Sequence, residues 1–182
     1  LKHFRYKRGY RNVINKAAEL MAEGEQAFLA IETSGHCAYS DNSFLDDGAF
    51  LAVQIVVAAA KLKKEGKTIE SLIDKMEQPA ESEEVRMKIT AEDYQTVGAD
   101  VLMQLEEWVE DTKGYSLELP NYEGVRVNFK LRGAKGWFLL RKSLHDPVLA
   151  LNIESDREGG CEKVKAELKT FMDRFEGVDN GL

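Results

Sequence analysis

Apolar residues recur at helical spacing from Tyr10 to Glu23, where Val13, Ala17, Leu20 and Met21 share one face and Gly24 follows as a C-cap. Ala27 to Ile31 is a short apolar run of strand length. Residues 32–46 are polar and turn-rich, Thr-Ser-Gly and then Ser-Asp-Asn-Ser, which predicts a loop. Behind Asp46 or Asp47 as a cap, the chain from about Gly48 to Lys64 is apolar nearly all round, and this predicts a buried helix. A shorter helix is predicted over Thr68 to Met76, stopping before Pro79.

Residues 77–84 are acidic, polar and broken by Pro79, so the linker is expected there, dividing the chain into residues 1–78 and 79–182. Beyond it, Glu84 to Ile89 alternates as a strand. Thr90 with Asp93 three residues on resembles a capping box for a helix that carries Val97, Val101, Leu105, Trp108 and Val109. Short strands are predicted at about Ser116 to Leu119, Val125 to Leu131, Trp137 to Arg141 and Val148 to Glu154. A last helix from Glu158 to Phe175 lines up Val164, Leu168, Phe171 and Phe175. Trp108 and Trp137 read as core, and residues 176–182 as a frayed end. The order of elements predicts an α/β part followed by an α+β part, the latter an antiparallel sheet packed on helices.

Composition narrows the class. Among 182 residues, 43% are apolar and 31% charged with both signs mixed, so a packed core is expected rather than disorder. The longest apolar run, Phe50 to Ala60 broken by Gln54, is far short of the ~20 residues that span a bilayer, and nothing at the start reads as a signal peptide. No membrane partner is expected. Two cysteines, Cys37 and Cys161, are too few for a disulfide framework and fit a reducing, cytoplasmic setting.

The net charge of −7 argues against a nucleic-acid partner. Two stretches depart from the acidic average: residues 1–18 and Gly124 to His145 each contain Lys and Arg but no Asp or Glu. Such segments are solvated charge runs or the seat of a small anion.

Two loops could carry chemistry. Glu32-Thr33-Ser34-Gly35-His36 follows an apolar strand, where open α/β sheets bind ligands, and offers the donors and acceptors that sugar hydroxyls require. The same residues would also suit a tight Ser-Gly turn with a capping glutamate. Arg141-Lys142-Ser143-Leu144-His145-Asp146-Pro147 lies between two strands. A guanidinium fork and a hydroxyl two residues apart, followed by turn amides, can cradle a phosphate, although an exposed hairpin loop reads the same way. His36, Cys37, Asp41, Asp46 and Asp47 match no trusted metal spacing. There is no Walker loop, no Gly-x-Ser-x-Gly elbow, no dinucleotide fingerprint and no nucleophile beside a base.

The order of several motifs adds what single loops lack. Lys7-Arg8-Gly9-Tyr10-Arg11 before a helix, Glu32 to His36, Asp47-Gly48, Glu123-Gly124-Val125-Arg126-Val127, Gly136-Trp137 and Arg141-x-Ser143 to Pro147 together resemble the C-terminal half of the α-D-phosphohexomutases. The resemblance runs from about residue 7 to 175. It implies a mixed α/β third domain, lacking its first strand and helix, and an α+β fourth domain. In the intact family member, a phosphoserine in the first domain and a magnesium-binding aspartate loop in the second move a phosphoryl group between the 1- and 6-positions of a hexose phosphate through a bisphosphorylated intermediate. Neither motif occurs in these residues, so magnesium would be bound outside them and the missing N-terminal domains would be this chain's partner. By the same resemblance, Glu32 and Ser34 bind sugar hydroxyls, His36 shapes that loop, and Gly9 and Tyr10 lie near the sugar or its phosphate. Arg141, Ser143 and His145 would hold the phosphate. Leu144, His145 and Asp146 depart from the family's small residue, threonine and following residue. Those departures keep a second expectation open, a non-catalytic sugar-phosphate-binding or regulatory module.

Overall fold

The computed structural model describes residues 2–143 and 146–182. Gly9, at φ 104°, turns the chain into helix α1 (Tyr10–Ala22), a conformation that a side chain at this position would resist. The carbonyl of Gly9 accepts the first helical bonds, from the N–H groups of Asn12 and Val13. Strands β1 (Leu29–Ile31) and β2 (Cys37–Tyr39) pair antiparallel, Leu29 opposite Tyr39 and Ile31 opposite Cys37. The polar stretch expected to be one loop therefore contains the second strand of a hairpin. Three residues of β2 suffice because Cys37 and Ala38 are buried while their neighbours are polar.

Helix α2 (Gly48–Lys64) is capped by Asp47, whose carboxylate accepts the N–H of Phe50 at 2.9 Å and the side-chain amide of Asn42 at 3.1 Å. Three lysines in its last turn complement the helix dipole. Contrary to expectation, none of its residues is buried, and Val53, Ile55 and Val56 are exposed. The cause is the small size of the core on this side: among the described residues its buried cluster is Ala17, Ala30 and Ala38, with Ile14, Ala27 and Phe44 against them. The shorter helix expected near Pro79 is a single 3-10 turn, Ile69–Leu72. These elements belong to one compact unit, residues 1–77, and those that follow belong to another, residues 78–182.

The second unit begins with β3 (Glu81–Ile89), longer than its alternation suggested because residues 81–84 pair with Asn152 to Ser155. Half of the expected linker is thus strand. Helix α3 (Tyr94–Asp111) is capped by Asp93, which accepts the N–H of Thr96 at 3.1 Å. The cap is therefore Asp93, three residues later than Thr90. Strands β4 (Tyr115–Leu117), β5 (Val125–Leu131), β6 (Ala134–Lys142) and β7 (Val148–Ser155), helix α4 (Gly160–Met172) and β8 (Val178–Asp179) complete the unit.

Its sheet is antiparallel throughout, in the order β4-β5-β6-β7-β3-β8. Alternation directs Val125, Val127 and Phe129 of β5, Phe138 and Leu140 of β6, Leu149, Leu151 and Ile153 of β7, and Met87 and Ile89 of β3 into a single core. Val101, Leu105 and Val109 of α3 join them with Val164, Leu168 and Phe171 of α4, so both helices cover the same face of the sheet. Glu81 ties the ends of the unit together. Its carboxylate accepts the N–H groups of Gly159 and Cys161 at the start of α4, and these bonds lower its pKa. The C-terminus is not frayed: Val178 and Asp179 pair with Ile89 and Lys88. Trp137 is on the sheet face away from the helices, its indole N–H donating to Glu154 at 3.0 Å and its ring lying under Arg126, so it is not part of the core.

Candidate functional site

In the first unit the candidate residues converge on the β1–β2 turn. Gly35, at φ 92°, closes it with its N–H donating to the carbonyl of Glu32, and the Glu32 N–H donates to the carbonyl of His36. The Glu32 side chain turns back over the loop. It accepts the Ser34 N–H at 2.7 Å, the Thr33 hydroxyl at 3.0 Å and the Ser34 hydroxyl. The two donors of Ser34, then Thr33 and the charge of Arg8, hold the Glu32 carboxyl down to about 2. Near neutral pH this side chain is a pure acceptor. An incoming O–H can replace the hydroxyls of Ser34 and Thr33 on it, while Ser34 is released to donate to the same ligand.

His36 leaves the turn with its Nδ1 2.6 Å from Asp46 Oδ2. Tyr10, the first residue of α1, stacks on the imidazole with ring centroids 4.6 Å apart. Gly9, Tyr10, Glu32, Ser34 and His36 are therefore joined through one helix start and one hairpin turn. Asp46 is the member whose role sequence reasoning missed, since it served there only as a possible cap and as part of a metal-ligand grouping set aside for its spacing. A separation of ten residues carries no helical or strand period, and only the bridge between Ala38 and Asp46 brings it near.

In the second unit Arg141 and Lys142 leave the sheet on opposite faces, as strand alternation requires. Lys142 turns to the helices, where its ammonium donates to the carbonyl and side chain of Gln95, both at 3.2 Å. The absence of a side chain at Gly98 makes room for its stem, since a Cβ there would stand 2.7 Å from Lys142 Cδ. Arg141 is on the other face with Glu123 3.6 Å from its Nε. Gly124 lets the preceding loop cross Arg141 closely; a Cβ would meet the carbonyl of Leu140 at 2.2 Å, and the local φ of 58° suits glycine. The Ser143 N–H donates to the carbonyl of Val148 at 2.8 Å, and its hydroxyl accepts the N–H of Asp146 at 3.2 Å. His145 and Leu144 lie outside the described residues.

The basic run from Gly124 is less cationic in space than in sequence. Arg126 pairs with Glu118 at 3.0 Å and stacks over Trp137, and Arg141 faces Glu123, whereas Lys142 keeps its charge beside the neutral Gln95 on the helix side. Cys161, the second residue of α4, is buried, and burial pushes its thiol up to about 12, which makes it inert as a nucleophile. Among the described residues no group of three or more His, Cys, Asp or Glu could hold a metal ion. The magnesium that the family resemblance implies therefore has no fit among these side chains. No helix among them is long and apolar enough to cross a membrane.

Residues 1–79 match the family model of the phosphoglucomutase/phosphomannomutase alpha/beta/alpha domain III. The chain is 28% identical over 157 residues to the phosphomannomutase/phosphoglucomutase of Pseudomonas aeruginosa PAO1, covering 86% of this chain and 30% of that protein. It is 29% identical over 148 residues to the enzyme of the same name from Pseudomonas syringae pv. tomato. A crystal structure of a phosphoglucomutase/phosphomannomutase family protein from Burkholderia thailandensis shares the fold at a TM-score of 0.61 and 20% identity, over 93% of this chain and 32% of that one. The chain is thus similar to the phosphoglucomutase/phosphomannomutase family, with residues 1–79 matching its domain III, and it spans about 30% of the length of the curated relatives that it matches.

Proposed function

We propose that this chain supplies the substrate-holding part of a phosphohexomutase, an isomerase that moves a phosphoryl group between the 1- and 6-positions of a hexose phosphate. The observation that carries the reading is the Glu32–His36 turn: an ionised acceptor, a hydroxyl and a stacked imidazole joined at one hairpin, within the segment that matches domain III. Glu32 and Ser34 would exchange their mutual hydrogen bonds for bonds to sugar hydroxyls, with Gly9, Tyr10 and His36 bounding the sugar. Arg141 would leave Glu123 for the phosphate, a stronger partner for a guanidinium, with Ser143 and His145 beside it. Holding the sugar phosphate in one orientation lets a phosphoserine and magnesium, both supplied from outside these residues, act on the opposite end. Alone, the 182 residues are expected to bind and not to turn over.

Asp146 favours a second reading. Its carboxylate is 3.5 Å from the Ser143 hydroxyl, where it would weaken the hold on a phosphate, and a weaker hold suits a sugar-phosphate-sensing or regulatory module better than a mutase that must fix its substrate's orientation. Titration with glucose 1-phosphate tests both readings. A charge-assisted bond to phosphate contributes roughly 1.5–3 kcal/mol, so Arg141→Ala should weaken binding by about ten- to a hundredfold or more. Lys142→Ala, on the helix face, should leave it nearly unchanged. Equal affinities for wild type and both variants would remove Arg141 from the site, and turnover of glucose 1-phosphate by the chain alone would overturn its non-catalytic role.

A further inference from the structure

The contact between His36 Nδ1 and Asp46 Oδ2, at 2.6 Å, has a defined polarity. An ionised carboxylate has no proton to give, so the proton in this contact is on Nδ1. Asp46 is itself held twice. Its backbone bridges Ala38 in β2, and its Oδ1 accepts the N–H of Cys37 at 3.3 Å. On the ring face, Tyr10 stacks with an interplanar angle of 21°, and the Tyr10 hydroxyl accepts the Nε–H of Arg11 at 3.1 Å. Stacking fixes the plane of the imidazole and Asp46 fixes its rotation within that plane, which leaves Nε2 one direction. With 47% of the His36 side chain exposed, the ring stays within reach of a ligand.

We infer that Asp46 is a positioning residue that locks neutral His36 as the Nδ1–H tautomer, so that Nε2 meets its ligand as an acceptor. A ring held this way selects an O–H donor, such as a sugar hydroxyl, over a carbonyl or ether oxygen. Glu32 has the same polarity, so two acceptors on one turn ask for donors from the ligand while Ser34 provides the donor in return. The identity of the donor rests on the phosphosugar reading; the tautomer does not.

Long-range proton–nitrogen correlation spectra of the 182-residue chain, at a pH where the imidazoles are neutral, read the tautomer directly. The His36 signals are assigned by their loss in His36→Gln. Wild-type His36 should be mainly Nδ1–H, the minor form of a free imidazole. Asp46→Asn keeps the shape but offers an N–H to Nδ1, and should switch the ring mainly to Nε2–H; Asp46→Glu should restore Nδ1–H. Nε2–H in the wild type, or an unchanged tautomer in Asp46→Asn with an unchanged backbone spectrum, would overturn the inference. Glucose 1-phosphate should then shift the wild-type Nε2 signal and lose that effect in Asp46→Asn. An equal shift in both would also overturn the inference. If the tautomer switches as expected and glucose 1-phosphate leaves wild-type His36 unperturbed, the lock stands and the phosphosugar reading falls.

Discussion

The second unit encloses its large apolar side chains and the first displays them. Phe138, Leu140, Leu149, Leu151 and Ile153 are completely covered by α3 and α4, whereas the buried cluster of the first unit consists of three alanines and its most apolar helix has no buried residue. Yet the more fully connected candidate site belongs to the poorly packed unit. Its geometry is held by Asp47 on Phe50, by Ser34 and Thr33 on Glu32, and by Asp46 on His36, bonds that close over short sequence distances and do not need a deep core. Local polar closure can thus preorganise a loop where hydrophobic burial is thin.

The largest expected effect separates the units outright. Produced alone, residues 78–182 should unfold cooperatively on heating, whereas residues 1–77 should give a broad, non-cooperative change and bind a hydrophobic dye through α2. Equal cooperativity in both pieces would break the comparison. Within the second unit, Phe138→Ala removes a fully buried ring and should cost about 3–5 kcal/mol in denaturant unfolding.

A smaller effect reads the polar closure. Glu32 has a lowered pKa in the folded chain, so its hydrogen bonds contribute fully above its ordinary value of 4.5 and are lost as pH falls through about 2. The amide resonance of Ser34 should titrate across that window and stay flat in Glu32→Gln. The smallest effect concerns α2. Val56 is 67% exposed, and Val56→Ala should change stability by less than about 0.5 kcal/mol, with alanine's better helix propensity favouring the variant. A loss as large as that of Phe138→Ala would mean that Val56 is covered.

The same contrast explains what was legible in the sequence. Where the chain packs on itself, alternation at Val125, Val127 and Phe129 and the stripe of Val164, Leu168 and Phe171 gave strands and helices close to those observed. Alternation could not say that Arg126 would stack over Trp137, because a tryptophan at a strand start fits either face. The apolar periodicity of α2 says only that the helix seeks cover, and cover is a tertiary property. In the site, the Glu32–His36 turn was readable from its Gly35 and its polar side chains, since both act over neighbouring residues. Asp46 and Glu123 were not, because each reaches its partner through a strand pairing or loop crossing that no local spacing encodes.

The position of β3 has a consequence for synthesis. This strand leaves the ribosome before every partner it will have, for β7 and β8 are both made much later, and it sits between them in the finished sheet. The hairpins β4–β5, β5–β6 and β6–β7 can form as they emerge, but β3 must wait with its backbone groups unpaired. Its outward positions are suited to the wait: Glu84, Arg86 and Lys88 are exposed, and charges of both signs along one edge discourage pairing between nascent chains. The charged face of β3 therefore protects an unfinished sheet as much as it solvates a finished one.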